Sequence, residues 1–312
     1  MPHERIRDPV ILGVCGDSAT GKTTLSAGIR DVLGPDRVTV ICSDDYHSFS
    51  REERAENGLS ALDPRANYID ILEQDLINLR NKRPILKPVY NHNGGMLERP
   101  VYVEPRAYVI VEGLLGFTTP KMRDCYDVKI YLDPEEELRI KWKIQRDTQK
   151  RGYTREQVLA SLEKRKDDSP AFIHPQRRFA DIVISFYPPS DNVEESGEHL
   201  NVRQYLRPTL PHPDLSSLLD EVQDIQLSLN LGRDEDGKPV DILWIGGDIA
   251  DDRAQMVEKV LWDHIPEASH LRENIGRFTG IDNQKRISHP LALTQLVLTY
   301  HMVKAALGER AV

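Results

Sequence analysis

The chain has 312 residues, of which 39% are hydrophobic and 29% are charged, and its formal net charge is −9 at pH 7. These proportions are those of a folded globular protein and exclude a low-complexity or disordered majority. The acidic balance argues against a general nucleic-acid or membrane-surface binder, because such a protein needs a basic field. An anionic substrate would therefore have to be held by a local cluster of cations.

The N-terminus and the cysteines both favour a cytoplasmic location. Residues 1–9 lack the hydrophobic core of a signal peptide, and no stretch approaches the ~20 apolar residues of a membrane span. The three cysteines, Cys15, Cys42 and Cys125, are odd in number and widely spaced. That usage predicts buried free thiols in a reducing compartment.

The first strong pattern, at residues 10–24, is an apolar run that ends in a glycine-rich loop. It contains G-x-x-x-x-G-K-[ST] in full. In this pattern backbone N–H groups surround the phosphates of a nucleotide, the lysine reaches the β- and γ-phosphates, and the hydroxyl ligates Mg²⁺. The sequence therefore predicts an ATP site with Mg²⁺ as cofactor. Its predicted residues are Gly16, Asp17, Ser18, Gly21, Lys22, Thr23 and Thr24.

A second buried parallel strand is predicted at residues 37–42, which are mostly apolar and β-branched. It is followed by Asp44, Asp45, Tyr46 and His47. Ligands of open α/β sheets bind beyond the carboxyl ends of the strands, so we expect these side chains to open onto the P-loop. They could form a catalytic group, although an isolated Asp-Asp is more often a helix cap or a solvated turn.

The next segments alternate between irregular and regular structure. Residues 48–66 are polar and contain glycine and proline, which indicates an irregular excursion that could cover a substrate. Asn67 could cap a helix that runs to about Arg80. Two extended segments joined by a glycine-containing turn then carry Tyr90 and His92, which could bind a hydroxyl group. A lone histidine in a turn is nevertheless more often solvated.

Residues 107–114 predict another buried strand, which ends in Glu112. An acid in this position beside a P-loop can hold Mg²⁺ directly or through water. After a strand at 127–133, a long helix carries Lys143, Asp147 and Arg151 at a spacing of four residues, with Arg146 beside them. This stripe is either a self-paired solvated face or a phosphate-binding surface. A second helix, at 154–166, bears Arg165, and a last strong strand lies at 179–186.

The C-terminal part carries fewer chemical signals. Residues 188–198 indicate a loop, 214–229 have near-helical spacing, 240–245 resemble a strand, and 290–307 predict a helix. We expect a P-loop kinase core at 1–210 and an extension at 211–312. The extension would pack on the core, form a surface between two copies, or do both, so a homodimer stays open. The predicted fold class is α/β: a P-loop NTPase-type three-layer sandwich whose mostly parallel central sheet has helices on both faces, with a C-terminal α/β extension.

Together these runs resemble the phosphoribulokinase and uridine kinase family of P-loop kinases, from about Val10 to Pro189. The motifs that carry the resemblance are residues 16–23, 40–47, 61–67, 87–92, 110–114, 142–147 and 180–184. The runs Tyr-Asn-His and Lys-Ile-Gln-Arg-Asp match the sugar-phosphate branch better than the uridine branch. The resemblance implies transfer of the ATP γ-phosphoryl group to the 1-hydroxyl of ribulose 5-phosphate, which gives ribulose 1,5-bisphosphate for carbon fixation in the Calvin cycle.

The resemblance also implies roles for individual residues. Asp44 would take the hydroxyl proton, and Glu112 would ligate the metal together with Thr23. The other implied catalytic residues are Lys22, Arg146 and Asp147, and the implied substrate-binding residues are His47, Arg51, Tyr90, His92, Lys143, Arg151 and Arg165.

The chain departs from the family pattern at two places. Light-regulated members carry a cysteine in the P-loop where this chain has Thr20, so thioredoxin control by that route is not expected, and Cys15 with Cys42 is a weaker alternative. Leu115 replaces a histidine that the family often has. Two rival hypotheses therefore stay open: a kinase of the same fold that acts on uridine or another sugar phosphate, and a non-catalytic ATP-sensing regulator.

Overall fold

The computed structural model describes residues 8–189, 197–215, 226–266, 268, 275–280 and 284–308. Its strands are β1 (Val10–Gly16), β2 (Val38–Cys42), β3 (Ile85–Asn91), β4 (Met96–Val103), β5 (Tyr108–Gly113), β6 (Val128–Leu132), β7 (Ile182–Tyr187), β8 (Asn201–Leu206), β9 (Leu227–Arg233), β10 (Pro239–Ile245), β11 (Arg277–Thr279) and β12 (Lys285–Ile287). Its α-helices are α1 (Lys22–Leu33), α2 (Arg51–Glu56), α3 (Ile69–Arg80), α4 (Pro120–Cys125), α5 (Glu136–Lys150), α6 (Arg155–Lys164), α7 (Asp251–Asp263) and α8 (His289–Ala306).

An eight-stranded sheet forms the centre, in the order β2-β5-β1-β6-β7-β8-β10-β9. The first five strands in this order are parallel, and β8, β10 and β9 complete the sheet by antiparallel pairing. Every residue of β1 and β5 is buried, as a parallel strand covered on both faces requires. The order therefore confirms the predicted α/β fold with a mostly parallel sheet.

Helices cover both faces of the sheet and enclose two hydrophobic cores. One core joins Leu12 of β1 to Leu25 of α1 and Leu296 of α8. The other joins Ile11, the neighbouring residue of β1, to Leu76 of α3. Successive strand residues point to opposite faces, which is why Ile11 and Leu12 enter different cores. The result is a three-layer sandwich whose P-loop lies at the carboxyl edge of the parallel strands.

Three elements beyond residue 210 belong to or contact the sheet that carries the P-loop. Strands β9 and β10 belong to that sheet, and α8 packs against both α1 and β1. No helix in the described ranges is both long enough and apolar enough to cross a bilayer.

Two segments differ in the structure from the expectation, and a third lies largely outside the described ranges. Residues 227–229 belong to β9, although the spacing of 214–229 favours a helix, because antiparallel pairing with β10 overrides the local pattern; residues 216–225 of that run lie outside the described ranges. The irregular excursion contains the helix α2, which begins with a capping box of Ser50 and Glu53. Of the predicted loop 188–198, residues 190–196 also lie outside the described ranges.

Candidate active site

The P-loop joins β1 to α1 through a turn that requires a glycine. Gly21, with φ +93°, adopts the left-handed conformation just before the helix begins. Lys22 folds back inside the loop, where its Nζ donates to the carbonyl oxygens of Gly16 at 2.9 Å and Asp17 at 2.7 Å. Thr23 and Thr24 are exposed on the first turn of α1. The positive end of the helix and the ammonium group therefore face the same place, which suits a polyphosphate.

A hydroxyl and a carboxylate meet beside this loop. Thr23 Oγ1 donates to Glu112 Oε1 at 3.0 Å, although the two residues are 89 positions apart in the chain. Glu112 is 7% exposed, and burial raises its pKa, with Lys22 opposing the shift and the charge of Asp44 adding to it. A divalent cation bound here would stabilise the charged form of this carboxylate.

The donor set of this pair is the one that Mg²⁺ prefers, since both ligand atoms are oxygens. Among the described residues, no group of three or more His, Cys, Asp or Glu side chains could hold a metal ion. Mg²⁺ in phosphoryl-transfer sites uses one or two protein oxygens and completes its shell with water and substrate phosphates. Thr23 and Glu112 therefore fit Mg²⁺ bound together with a nucleotide.

The end of β2 approaches the end of β5 because Gly113 has no side chain. A Cβ on Gly113 would lie 1.8 Å from Ser43 Oγ and 3.2 Å from Asp44 Oδ1. The turn of residues 43–46 can therefore pack directly against β5. This contact brings Asp44 close to the pair formed by Thr23 and Glu112.

The two adjacent aspartates of this turn have different surroundings. Asp45 forms an ion pair with Lys87 of β3 and accepts a hydrogen bond from the backbone N–H of Tyr90 at 3.2 Å. The carboxylate of Asp44 has no hydrogen-bond or ion-pair partner in the part of the chain that the structure describes. Asp44 is therefore the carboxylate that remains available to a substrate hydroxyl.

Two histidines and a tyrosine lie beside Asp44. The rings of His47 and Tyr90 pack edge to face at 4.7 Å, and those of Tyr90 and His92 at 5.1 Å. Burial is the largest cause that lowers the pKa of His47, to about 4, and burial also lowers the pKa of His92. Both imidazoles are therefore neutral near pH 7, when they can donate and accept hydrogen bonds.

The hydrogen bonds around Asn67 select the tautomer of His47. Asn67 does not cap α3, which begins at Ile69; its Nδ2 instead donates to the carbonyl oxygens of Ala61 and Asp63, at 3.3 and 2.8 Å. Its Oδ1 therefore accepts, and lies 2.7 Å from His47 Nδ1. The proton of His47 consequently sits on Nδ1, which leaves Nε2 as an acceptor.

The charged stripe of α5 is both self-paired and directed at the site. Asp147 lies 3.1 Å from Lys143, 2.9 Å from Arg146 and 3.5 Å from Arg151. One carboxylate therefore faces three cations, and the stripe keeps a positive excess. Arg146 also donates to Ser18 Oγ of the P-loop at 3.0 Å. The stripe is therefore self-paired but not solvated, since Lys143 and Asp147 are buried, and phosphate binding by it stays a prediction.

A cavity of about 420 Å³ opens between α2, α5 and α6. Its lining carries more cations than any single sequence motif suggests; they are Arg51, Arg54, Lys143, Arg151, Lys164 and Arg165. The guanidinium of Arg165 donates no hydrogen bond within the described ranges, and burial followed by the charge of Arg54 lowers its pKa. An unpartnered guanidinium among other cations favours an anionic occupant.

Sequence reasoning missed Arg54 and Lys164 at this cavity. Arg54 follows Arg51 by three residues on α2, so the two share a helix face once the helix is known. Its guanidinium donates to the Tyr90 hydroxyl at 2.7 Å, and Arg51 donates to the carbonyl oxygen of His92 at 2.6 Å. Both arginines therefore connect the cavity to the histidine and tyrosine cluster.

Sequence reasoning also missed a contact that holds the P-loop from the other side. Ser169 Oγ donates to Asp17 Oδ2 at 2.5 Å, and Arg139 lies 3.7 Å from the same oxygen. Burial alone would raise the pKa of Asp17, but Arg139 and Ser169 outweigh it and lower the pKa. Ser169 lies 152 residues from Asp17, so no local pattern could have indicated the contact.

Comparison with known proteins identifies similar chains. The model of the Phosphoribulokinase / Uridine kinase family matches residues 11–192. The phosphoribulokinase of Synechocystis sp. is 41% identical over 212 residues, which are 68% of this chain and 64% of that protein. The chloroplastic phosphoribulokinase of Arabidopsis thaliana is 36% identical over 236 residues, covering 69% and 59%. A uridine kinase of Lactiplantibacillus plantarum is 32% identical over 188 residues, covering 59% and 90%.

A solved structure supports the architecture. The phosphoribulokinase from Rhodobacter spheroides aligns with a TM-score of 0.56 at 20% identity, over 85% of this chain and 99% of that chain. At this identity the likeness shows a shared fold. The chain spans about three fifths of the length of the curated phosphoribulokinases, 64% of the one from Synechocystis and 59% of the one from Arabidopsis.

Proposed function

The chain belongs to the phosphoribulokinase/uridine kinase family, and on that premise we propose that it transfers the γ-phosphoryl group of ATP to the 1-hydroxyl of ribulose 5-phosphate. The observation that carries the proposal is the position of the unpartnered Asp44 between the P-loop and the cationic cavity. A kinase for a phosphorylated sugar needs a base for the hydroxyl and a separate site for the anion already present. The product would be ribulose 1,5-bisphosphate, the compound used for carbon fixation in the Calvin cycle.

Asp44 is the proposed general base. A primary alcohol is a weak nucleophile, and a carboxylate within hydrogen-bond reach accepts its proton as the new O–P bond forms. Because Asp44 makes no competing hydrogen bond or ion pair in the described part of the chain, its oxygens are available for that proton. The hydroxyl oxygen bonds to the γ-phosphorus, the bond to the β-phosphate oxygen breaks, and ADP leaves.

The cations of the site position and stabilise the transferring group. Lys22 leaves the carbonyl oxygens of its own loop and binds the β- and γ-phosphates when ATP enters. Arg146 is hydrogen-bonded to Ser18 of the loop and can follow the phosphates from there. Phosphoryl transfer depends mainly on such positioning and on positive charge around the equatorial oxygens. Mg²⁺, held by Thr23 and Glu112, would neutralise charge on the β- and γ-phosphates.

The cavity is the proposed site of the sugar phosphate. Arg51, Arg54 and Arg165 line this cavity and would bind the phosphate, and Lys143 and Arg151 line it from the side of α5. The imidazoles of His47 and His92 both lie close enough to Asp44 to feel its charge, and sugar hydroxyls there would need donors and acceptors. A neutral nucleoside such as uridine would leave these cations without a counter-charge, so the cavity favours a phosphorylated acceptor over uridine.

The remaining parts of the proposal concern context. ATP and ribulose 5-phosphate are the proposed partners, and the three cysteines are free thiols, which fits a reducing cytoplasm. A homodimer and the separation of a core at 1–210 from an extension at 211–312 stay predictions of the sequence.

Two measurements test the proposal. The first compares ADP release by the purified chain with ribulose 5-phosphate, with uridine and without acceptor. Turnover with ribulose 5-phosphate is expected, whereas turnover with uridine alone would assign the chain to the rival activity. The second uses Asp44→Asn, which should lower kcat by about 100-fold or more, since positioned bases contribute roughly 10²–10⁴. ATP affinity should be unchanged, and an Asp44→Asn protein with undiminished kcat would refute Asp44 as the base. A wild type that binds ATP but shows no turnover with either acceptor would instead favour a non-catalytic ATP sensor.

A further inference from the structure

The ion pair of Lys87 and Asp45 lies directly beside the proposed base. Lys87 is 8% exposed, and its ammonium group contacts the Asp45 carboxylate and the carbonyl oxygen of Pro88, the latter at 3.1 Å. The second oxygen of Asp45 accepts the backbone N–H of Tyr90 at 3.2 Å. Asp45 therefore joins the turn that carries Asp44 to the strand β3, which carries Tyr90.

The turn is also fixed on its other side. Tyr46 donates its hydroxyl to Asp75 at 2.8 Å, and its carbonyl oxygen accepts the N–H of Tyr68 at 2.7 Å. Asp44 thus has no side-chain partner of its own among the described residues, and the two residues that follow it, Asp45 and Tyr46, are both anchored. Of these two, only Asp45 is held by an ion pair.

Negative charge is concentrated at this place. Burial raises the pKa of Cys42, and the charges of Asp44, Glu112 and Asp45 raise it further, so all three carboxylates converge on one strand end. The transferring phosphoryl group is itself anionic. Without Lys87, the charge of Asp45 would act on the phosphoryl group and on Asp44 without compensation.

We propose that Lys87 is a positioning residue of the phosphoryl-transfer reaction: it neutralises Asp45 and holds it to β3, so that Asp44 alone presents a carboxylate to the acceptor. The proposal rests on the proposed function, and it gives the two adjacent aspartates different tasks. Asp44 touches the substrate, whereas Lys87 and Asp45 act only through Asp44. Turnover would then require Lys87 only as long as Asp45 is charged.

That dependence separates the proposal from a purely structural role of the pair. Lys87→Met should lower kcat by about tenfold or more, in line with the cost of leaving a buried charge unpaired. The double variant Lys87→Met/Asp45→Asn removes both charges, while the amide oxygen of asparagine can still accept the Tyr90 N–H. It should recover kcat to within about threefold of the wild type, because the pair is coupled. KM for ATP should stay within about threefold throughout, since neither residue contacts the P-loop.

A matched control comes from the ion pair of the half-buried Lys129 with the buried Asp181, whose Nζ and Oδ2 are 3.0 Å apart. Lys129 is the second residue of β6 and Asp181 immediately precedes β7, so this pair lies at the amino edge of the sheet, opposite the P-loop. Lys129→Met should lower the free energy of unfolding and leave kcat unchanged.

The experiment measures ADP release with saturating ATP and ribulose 5-phosphate for the wild type, both single variants of the Lys87 pair, the double variant and the control. A double variant faster than Lys87→Met by about threefold or more supports the proposal, and a smaller recovery overturns it. Lys87→Arg keeps the charge and should stay within about threefold of the wild type, which tests the same point if Lys87→Met does not fold.

A readout without substrate separates this proposal from the proposed function. Amide hydrogen exchange at Tyr90 reports the hydrogen bond to Asp45 directly. It should accelerate in Lys87→Met and slow again in the double variant, whatever the acceptor is. If the wild type shows no turnover with ribulose 5-phosphate, the proposed function fails, while unchanged exchange at Tyr90 in Lys87→Met would refute the positioning role alone.

Discussion

Lys143 should give the sugar-phosphate site a dependence on pH near 8. Its side chain lies in the cavity and is 4% exposed, and burial is the largest cause that lowers its pKa from 10.5 to about 8. The neighbouring cations Arg146 and Arg165 lower the pKa further, and Asp147 opposes them. The ammonium group is charged below this pKa and neutral above it. The affinity for a phosphorylated sugar should therefore fall as the pH rises through 8.

The size of the effect follows from the protonated fraction. With a pKa of about 8, that fraction is roughly 0.9 at pH 7 and roughly 0.1 at pH 9. If binding needs the charged form, KM for ribulose 5-phosphate should rise about tenfold over this range, whereas KM for ATP should not follow it. The assay is the initial rate of ADP release at saturating ATP. Above pH 7 the sugar phosphate is already fully ionised, since the second pKa of a phosphate ester is about 6.

Lys143→Arg is the matched variant, because a guanidinium group stays charged across the whole range. Its KM should be independent of pH between about 7 and 9. A wild-type KM that does not change, or the same rise in both proteins, would refute the assignment of Lys143 to phosphate binding. Unfolding cannot imitate the effect, because the folded pKa lies below the unfolded value of 10.5 and this group therefore makes the fold more stable as the pH rises.

Three further predictions concern the metal, the histidine and the cavity. Glu112→Gln should raise the Mg²⁺ concentration for half-maximal rate by about tenfold or more, as measured by Mg²⁺ titration at fixed ATP, since a carboxylate oxygen is lost. The pKa of His47 is about 4 in the folded protein and 6.5 in the unfolded chain, so the unfolded chain binds the proton first as the pH falls. The free energy of unfolding should therefore decrease below pH 6.5, by about 2 kcal/mol at pH 5. Urea unfolding of His47→Gln should show a smaller loss, and an equal loss would contradict the assignment. Arg165→Met should raise KM for ribulose 5-phosphate by about tenfold or more without lowering the melting temperature, because the half-buried guanidinium lies among like charges.

Features written in contiguous sequence could be predicted without the structure. The P-loop is one, because its glycines, lysine and threonine must follow one another for the backbone to surround a phosphate. The buried parallel strands are another, since a strand covered on both faces is apolar at nearly every position, as β1 and β5 are. The rule that ligands bind beyond the carboxyl ends of strands then placed Asp44 and Glu112 near the P-loop. The chemical roles of Asp44 and Glu112 remain predictions.

Features that depend on distant partners could not be predicted. The contact of Ser169 with Asp17 joins residues 152 positions apart, and no pattern within either segment indicates it. The strand β9 could not be predicted because its pairing with β10, and not the spacing of its own apolar residues, determines its conformation. In the sequence Arg54 is one charge within a polar segment. In the structure this segment contains the short helix α2, which begins at the capping box of Ser50, and Arg54 of that helix lines the cavity.

The adjacent aspartates show most clearly where sequence reasoning ends. Asp44 and Asp45 are the same residue type at neighbouring positions, so composition, spacing and propensity treat them alike. Only the tertiary structure distinguishes them: the ammonium group of Lys87 pairs with Asp45, and Asp44 has no partner within the described ranges. Burial of one ion pair thus decides which carboxylate can act as a base. An Asp-Asp sequence after a buried strand should accordingly be judged by which of its members lacks a buried cation, because the paired carboxylate cannot accept the hydroxyl proton without giving up that cation.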